Sequence, residues 1–209
     1  MDRVEFLKRL FNGYVNSYGS FRWHSLCDGT DMTQKELSFF SNLGTNLGFI
    51  PKREYVENAP VGHTYYPNKS NGRDLVWLDP DDNNSVFLHL ERENESENVE
   101  ENFTGNNKLI DGARFKDRRY LVGVFGFLKK EHLESLKHEL ANSPDFKNKD
   151  ILVIGWCGEE KDIATDVIGL VYSKLAKFER HATADRDKGG YWFLYFDKQE
   201  PSNLNWREI

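Results

Sequence analysis

The sequence predicts an α/β protein, a single domain with a mixed central β-sheet flanked by helices. Three observations carry this expectation. Two amphipathic helical patterns open the chain, two short strand-like runs then flank the turn "DPDDNNS", and strand-like and helix-like runs alternate from there to the end. A length of 209 residues suits one domain, 1–209.

Each element has its own local reason. Val4, Leu7, Leu10, Phe11 and Tyr14 recur at helical spacing, which predicts a helix over 2–15. Residues 19–31 carry Gly19, Gly29 and many polar side chains, so they read as loop around a short strand, "FRWHSL". Leu37, Phe40, Leu43 and Leu47 predict a second helix from Thr33 to Leu47, closed by Gly48 and stopped by Pro51. Residues 51–72 read as extended and irregular. Asp74–Leu78 and Val86–Glu93 read as an antiparallel hairpin across the turn. The polar segment 95–113 has room for one short helix. Tyr120–Leu128 is rich in Val and Phe and reads as a strand. Leu133, Leu136 and Leu140 predict a helix ending near Ser143-Pro144. Ile151–Trp156 is almost wholly apolar, as expected of a strand covered on both faces. Ile163, Val167, Leu170, Val171, Leu175 and Phe178 predict a long helix, and "YWFLYF", Tyr191–Phe196, a last strand.

Composition narrows the function. Charged residues make up 30% and the net charge is −6, which argues against a generally basic nucleic-acid coat but leaves room for a local basic groove. Two cysteines, Cys27 and Cys157, make neither a zinc pattern nor a disulfide framework. The start, "MDRVEFLKRL", is charged and amphipathic rather than an apolar signal, and no run approaches the ~18 apolar residues of a membrane span. The expectation is a soluble cytoplasmic chain without a membrane partner. Gly-rich phosphate loops, Gly-x-Ser-x-Gly and paired His or Cys motifs are missing from the sequence.

The hairpin holds the chemistry. Side chains alternate across a strand, so Glu91 and Glu93 share one face, while Val86, Leu88 and Leu90 take the other. A hairpin brings Asp74 beside both carboxylates. Clustered carboxylates repel unless a cation sits between them, and Mg²⁺ or Mn²⁺ prefers oxygen ligands. Such an ion acidifies water and stabilises charge on phosphate oxygens. His89 shares the face of Glu91 and is a candidate neutral partner there.

Asp74 at the start of one strand and Glu91-Arg92-Glu93 near the end of the next, 17 residues on, resemble the signature of restriction-endonuclease-like nucleases in its Glu-x-Glu form. "RDLVW" and "LEREN" are similar to the openings and ends of the two signature strands. The resemblance spans Thr33 to Trp156 and implies a core of about 33–156 with N- and C-terminal additions. It implies a metal-dependent nuclease, with DNA as the expected substrate. Asp74 and Glu91 would hold Mg²⁺ or Mn²⁺, the Arg92 carbonyl would complete the coordination, and Glu93 would orient or activate water. It also implies pairing into a homodimer, as duplex cutters of this fold often do, and an accessory Glu on the preceding helix, here Glu36. One departure stands: Glu93 occupies the place where the family more often has lysine. The alternative is therefore a catalytically inactive nuclease-fold module that binds nucleic acid or protein.

Plainer readings stand beside these. "ERENESENVEE" is also a solvated acidic run, Asp74 a turn cap, Thr33–Glu36 a capping box, and His89 a satisfied buried histidine. For a polyanion, "ARFKDRRY" supplies Lys116, Arg118 and Arg119 as candidate nucleic-acid contacts.

Overall fold

A computed structural model describes residues 2–24, 26, 29–55, 73–93, 120–144, 146–158 and 164–209. Helix α1 spans Arg3–Ser17 and runs into one turn of 3-10 helix, Tyr18–Phe21. Helix α2 spans Gly29–Asn46. The strands are β1 Ile50–Tyr55, β2 Arg73–Asp79, β3 Ser85–Glu93 and β4 Tyr120–Lys129. Helix α3, Lys130–Asn142, follows, then β5 Asp150–Gly158, β6 Ala164–Tyr172, β7 Lys177–Arg186 and β8 Trp192–Tyr195. A short helix α4, Pro201–Leu204, and a two-residue strand β9, Arg207–Glu208, close the chain.

The strands lie side by side in chain order, β1 to β8, and β9 pairs with β7. Most neighbours are antiparallel, but β3–β4 and β4–β5 are parallel. Parallel neighbours need a crossover, and α3 supplies the second one. The result is a mixed sheet with helices on both faces. On one face α1 and α2 bury Leu7, Leu10, Phe11, Tyr14, Leu37 and Phe40 against Leu75, Trp77, Leu88, Leu90, Leu152 and Ile154. On the other, Leu136 and Leu140 of α3 pack on Leu121, Ile151, Val153, Ile168 and Leu170. Every residue of β5 is buried, which accounts for the apolar run Ile151–Trp156 within it.

The helix expected over 163–178 is instead strand β6, a turn, and the start of β7. Val167, Ile168, Leu170 and Val171 are all fully buried, two toward each helical layer. A strand buried on both faces presents apolar residues at every spacing, and a helical period can be picked from it by chance. Leu175, expected to face a core, sits 90% exposed at the turn between the strands. The stretch "FRWHSL" contributes one isolated bridge, His24 to Tyr191, rather than a strand. Of the region expected to be extended and irregular, residues 51–55 belong to strand β1 on the outer side of β2, with a break at Glu54, whose φ is 47°; residues 56–72 lie outside the described residues. The expected helix within 95–113 lies outside the described residues.

Gly169 shows how closely β6 meets α1. A Cβ built there would lie 2.6 Å from the Phe11 ring. Phe11 is fully buried and cannot swing away. Gly169→Ala is therefore expected to lower stability by about 1–3 kcal/mol, read as an earlier urea midpoint. An unchanged midpoint would mean that the helix floats over the sheet.

Charge ties α3 and β9 to β7. Glu179 is only 3% exposed. Lys137 Nζ of α3 lies 3.0 Å from its Oε2, off the hydrogen-bond direction, and Arg207 of β9 bonds its Oε1. Burial alone would push the Glu179 carboxyl up, but Lys137 and Arg207 together hold it below the ordinary carboxylate value. Its contribution to stability is present above the unfolded carboxylate pKa of about 4.3 and is lost as pH falls through the depressed folded value. Acid unfolding should thus weaken in pH dependence in Glu179→Gln. An acid limb identical to the parent's would exclude this clamp.

Candidate active site

The turn that joins β2 to β3 explains its own sequence. Asn83 and Asn84 have φ of 50° and 57°, in the left-handed region that asparagine tolerates better than most residues. The Asp79 carboxylate accepts the Asp81 N–H at 3.1 Å, and Ser85 N–H reaches the Asp82 carbonyl at 2.8 Å. The strands then pair antiparallel as expected, with Val76 opposite His89 and Leu75 opposite Leu90. Continuing that register by one residue sets Asp74 across from Glu91.

One irregularity changes the faces. Trp77 pairs with Leu88 but Leu78 with Val86, so Phe87 is an extra residue, a β-bulge. Phe87 packs on Phe49 at 4.2 Å and on Tyr120 at 5.0 Å. Val86 is thereby moved off the face of Leu88 and Leu90, where alternation had set it, and joins Val76, Leu78 and Tyr55 in a small separate cluster. Beyond the bulge the alternation holds. His89, Glu91 and Glu93 share the face of Val76 and Asp74. Leu88, Leu90 and Arg92 face α1 and α2.

The carboxylate face is hydrogen-bonded and largely buried. His89 is completely buried, and its Nε2 is hydrogen-bonded to Glu91 Oε1. Glu91 itself is 6% exposed, and Asp74 and Glu93 are half-buried. Asp74 Oδ2 accepts the backbone N–H of Arg92 at 2.7 Å. Asp74 is therefore a strand residue whose carboxylate is bonded to β3; the turn it was alternatively expected to cap, at Asn71-Gly72, lies outside the described residues. On the far side β4 sets Gly123 beside Glu91, adding no side chain at that level.

The opposite face holds an ion pair. Arg92 Nε donates to Glu36 Oε2 at 2.8 Å, and both side chains are 1% exposed. The Tyr14 hydroxyl donates to Glu36 Oε1 and accepts Trp156 Nε1–H at 3.0 Å. Burial first, and then the charge of Glu36, pushes the Tyr14 and Tyr18 hydroxyls well above their ordinary range. The capping-box reading of Thr33–Glu36 does not hold, because α2 starts at Gly29 and Glu36 lies inside it. Nor does Glu36 stand beside Asp74 and Glu91: its carboxylate is engaged across the sheet from them.

The chain offers hard oxygen donors for a divalent ion at Asp74 and Glu91, and two carboxylates plus water make an ordinary Mg²⁺ set. Among the described residues, no group of three His, Cys, Asp or Glu side chains is arranged to hold a metal. Lys116, Arg118 and Arg119 lie outside the described residues.

Sequence reasoning missed a second polar group. On β7 and β6, His181 Nδ1 meets Asp166 Oδ2 at 2.6 Å, and His181 Nε2 lies 3.9 Å from Glu179 Oε1. Glu179, His181, Pro201, Ser202 and Arg207 line a cavity of about 330 Å³. The alternation in "KFERHATADR" was the available signal, hidden by the helix expectation. Registers run from Glu91 through Gly123, Val153 and Leu170 to Glu179. The cavity is thus four strand spacings from Glu91, about 19 Å at ~4.8 Å each, and separate from the carboxylates.

Among the described residues no helix is long and apolar enough to cross a membrane. Comparison with protein-family models, with curated proteins and with solved structures returned no match.

Proposed function

We propose that this protein is a divalent-cation-dependent phosphodiesterase acting on nucleic acid, with DNA as its substrate. The observation that carries the reading is the juxtaposition of Asp74, second residue of β2, with Glu91, near the end of β3, on one face of the sheet. The run α2, β1, β2, β3, β4, α3, β5 supports it, with an antiparallel hairpin followed by parallel strands. That order resembles a restriction-endonuclease-like core.

Asp74 and Glu91 would hold Mg²⁺ or Mn²⁺, with the Arg92 carbonyl as a third oxygen. The ion would supply positive charge to the phosphate oxygens and acidify water. The chain's own groups have distinct tasks. His89 orients the Glu91 carboxylate through its Nε2, as an outer partner that fixes a ligand. The Arg92 N–H holds Asp74. Glu93, half-buried and two residues farther out on the same face, accepts a proton from the attacking water. A chain of net charge −6 needs local cations to hold a polyanion, and Lys116, Arg118 and Arg119 are assigned that role.

A second reading has specific support. Glutamate stands at position 93 in place of the family's commoner lysine, and no three-ligand group is arranged among the described residues. These favour an inert module of the same fold that binds nucleic acid or protein. The test is incubation with supercoiled plasmid and with single strands, in Mg²⁺ and in Mn²⁺, with Glu91→Gln as control. Cleavage by the parent that EDTA and Glu91→Gln both remove is the expected result. No cleavage with either ion, together with no heat of Mn²⁺ binding, selects the inert module.

A further inference from the structure

We propose that Arg92 is a positioning residue that works through the sheet: its buried ion pair with Glu36 on one face sets the Asp74 carboxylate on the other. The inference rests on the reading of Asp74 as part of a phosphodiesterase site.

Arg92 sits in an apolar wall. Leu88 and Leu90 precede it on the same face, and Leu37, Phe40 and Tyr14 belong to the layer above. A leucine would satisfy packing there at far smaller desolvation cost than a guanidinium. The chain instead ties this one group to three other elements in a relay. Glu36 of α2 bonds Arg92 directly at 2.8 Å, Tyr14 of α1 holds the other oxygen of Glu36, and Trp156 of β5 holds Tyr14 at 3.0 Å. Such a chain of bonds fixes where the Arg92 side chain lies, and with it the orientation of the Arg92 peptide.

That peptide does something a ladder peptide does not. The paired register of β2 and β3 reaches Leu75 and Leu90. Past that point the Arg92 N–H donates to the Asp74 side chain, at 2.7 Å. One residue therefore carries the buried network on its side chain and the Asp74 carboxylate on its backbone. An apolar side chain at 92, with the Glu36 charge removed alongside it, would keep the fold and loosen the carboxylate. Misplacement of a reacting group by about 1 Å costs roughly 10²-fold in rate.

The test is the double variant Glu36→Gln/Arg92→Met. It removes both charges together, so neither is stranded, and the amide oxygen introduced at position 36 still accepts from Tyr14. Two measurements are made on folded protein, confirmed by near-UV circular dichroism. The first is hydrogen exchange of the residue 92 amide by ¹⁵N–¹H NMR, with Asp74→Ala as the reference for a broken bond. Exchange accelerated toward that of Asp74→Ala is expected. The second is cleavage with Mn²⁺, where kcat should fall about 10²-fold with KM little changed. A residual fraction of intact enzyme would keep its own response to EDTA and to pH, so the pH profile of the variant is recorded too. The proposal is overturned if the folded double variant protects the residue 92 amide as the parent does, or cuts at the parental rate. If the parent does not cut, the phosphodiesterase reading fails, and the amide measurement alone decides the positioning. Should the double variant not fold, Arg92→Lys takes its place: intermediate amide exchange supports the tie, and parental exchange overturns it.

Discussion

Asp74→Asn and Glu91→Gln should each lose divalent-ion affinity and cleavage together. Each change removes the negative charge from one of two facing carboxylates while keeping its size. With one charged oxygen donor left, a hard cation has little reason to leave bulk water. Glu91→Gln carries a second effect, because His89 Nε2 is bonded to that carboxylate in a fully buried position. Glu93→Gln should behave differently. Its proposed role is toward water rather than the ion, so the rate falls by roughly 10²–10⁴ while Mn²⁺ affinity, read by calorimetry, changes little. Glu93→Lys restores the commoner residue of the resembled family, and retention of part of the rate would mean that the site only needs its water held. The assignment is refuted if Asp74→Asn and Glu91→Gln both cut as fast as the parent.

Breaking the Glu36–Arg92 pair from one side should lower stability severely. Arg92→Met alone takes the guanidinium from the buried Glu36 carboxylate, and Glu36→Leu alone takes the carboxylate from the buried Arg92 guanidinium. Stranding one member of a buried pair costs about 3–5 kcal/mol. Total stabilities are about 5–15 kcal/mol, so either change consumes a large part of the whole. Removing both members should cost much less than the sum. The measurement is a double-mutant cycle by urea unfolding. Single variants within 1 kcal/mol of the parent would show that the pair is not a buried ion pair in solution.

The hairpin was legible because its signals are local. A dense turn between two apolar runs, and a side-chain period of two, set Asp74 near Glu91 and put His89 and Glu93 on the same face. The bulge at Phe87 was not legible. It is decided by the space that Phe6, Phe49 and Tyr120 leave for one more ring. The β6–β7 hairpin reads as a helix in the sequence for a similar reason. Its apolar residues satisfy both periods, and only the two layers around it choose between them.

What the sequence determined by itself is what neighbours along the chain decide: α1, α2 and α3 from their apolar spacing, β2 to β5 from their runs and turns, and the shared face of the carboxylates. The tertiary structure alone decided which buried charge meets which. In the sequence Glu36 reads as the capping-box partner of Thr33 or, by resemblance, as an accessory Glu of the carboxylate site, because neither pattern reaches a buried partner far along the chain. Its true partner lies 56 residues away, brought to 2.8 Å by the packing of α2 on β3. A buried charge takes whatever counter-charge the assembled core offers, since desolvation makes every other arrangement costlier, and that choice is made only after the layers have closed.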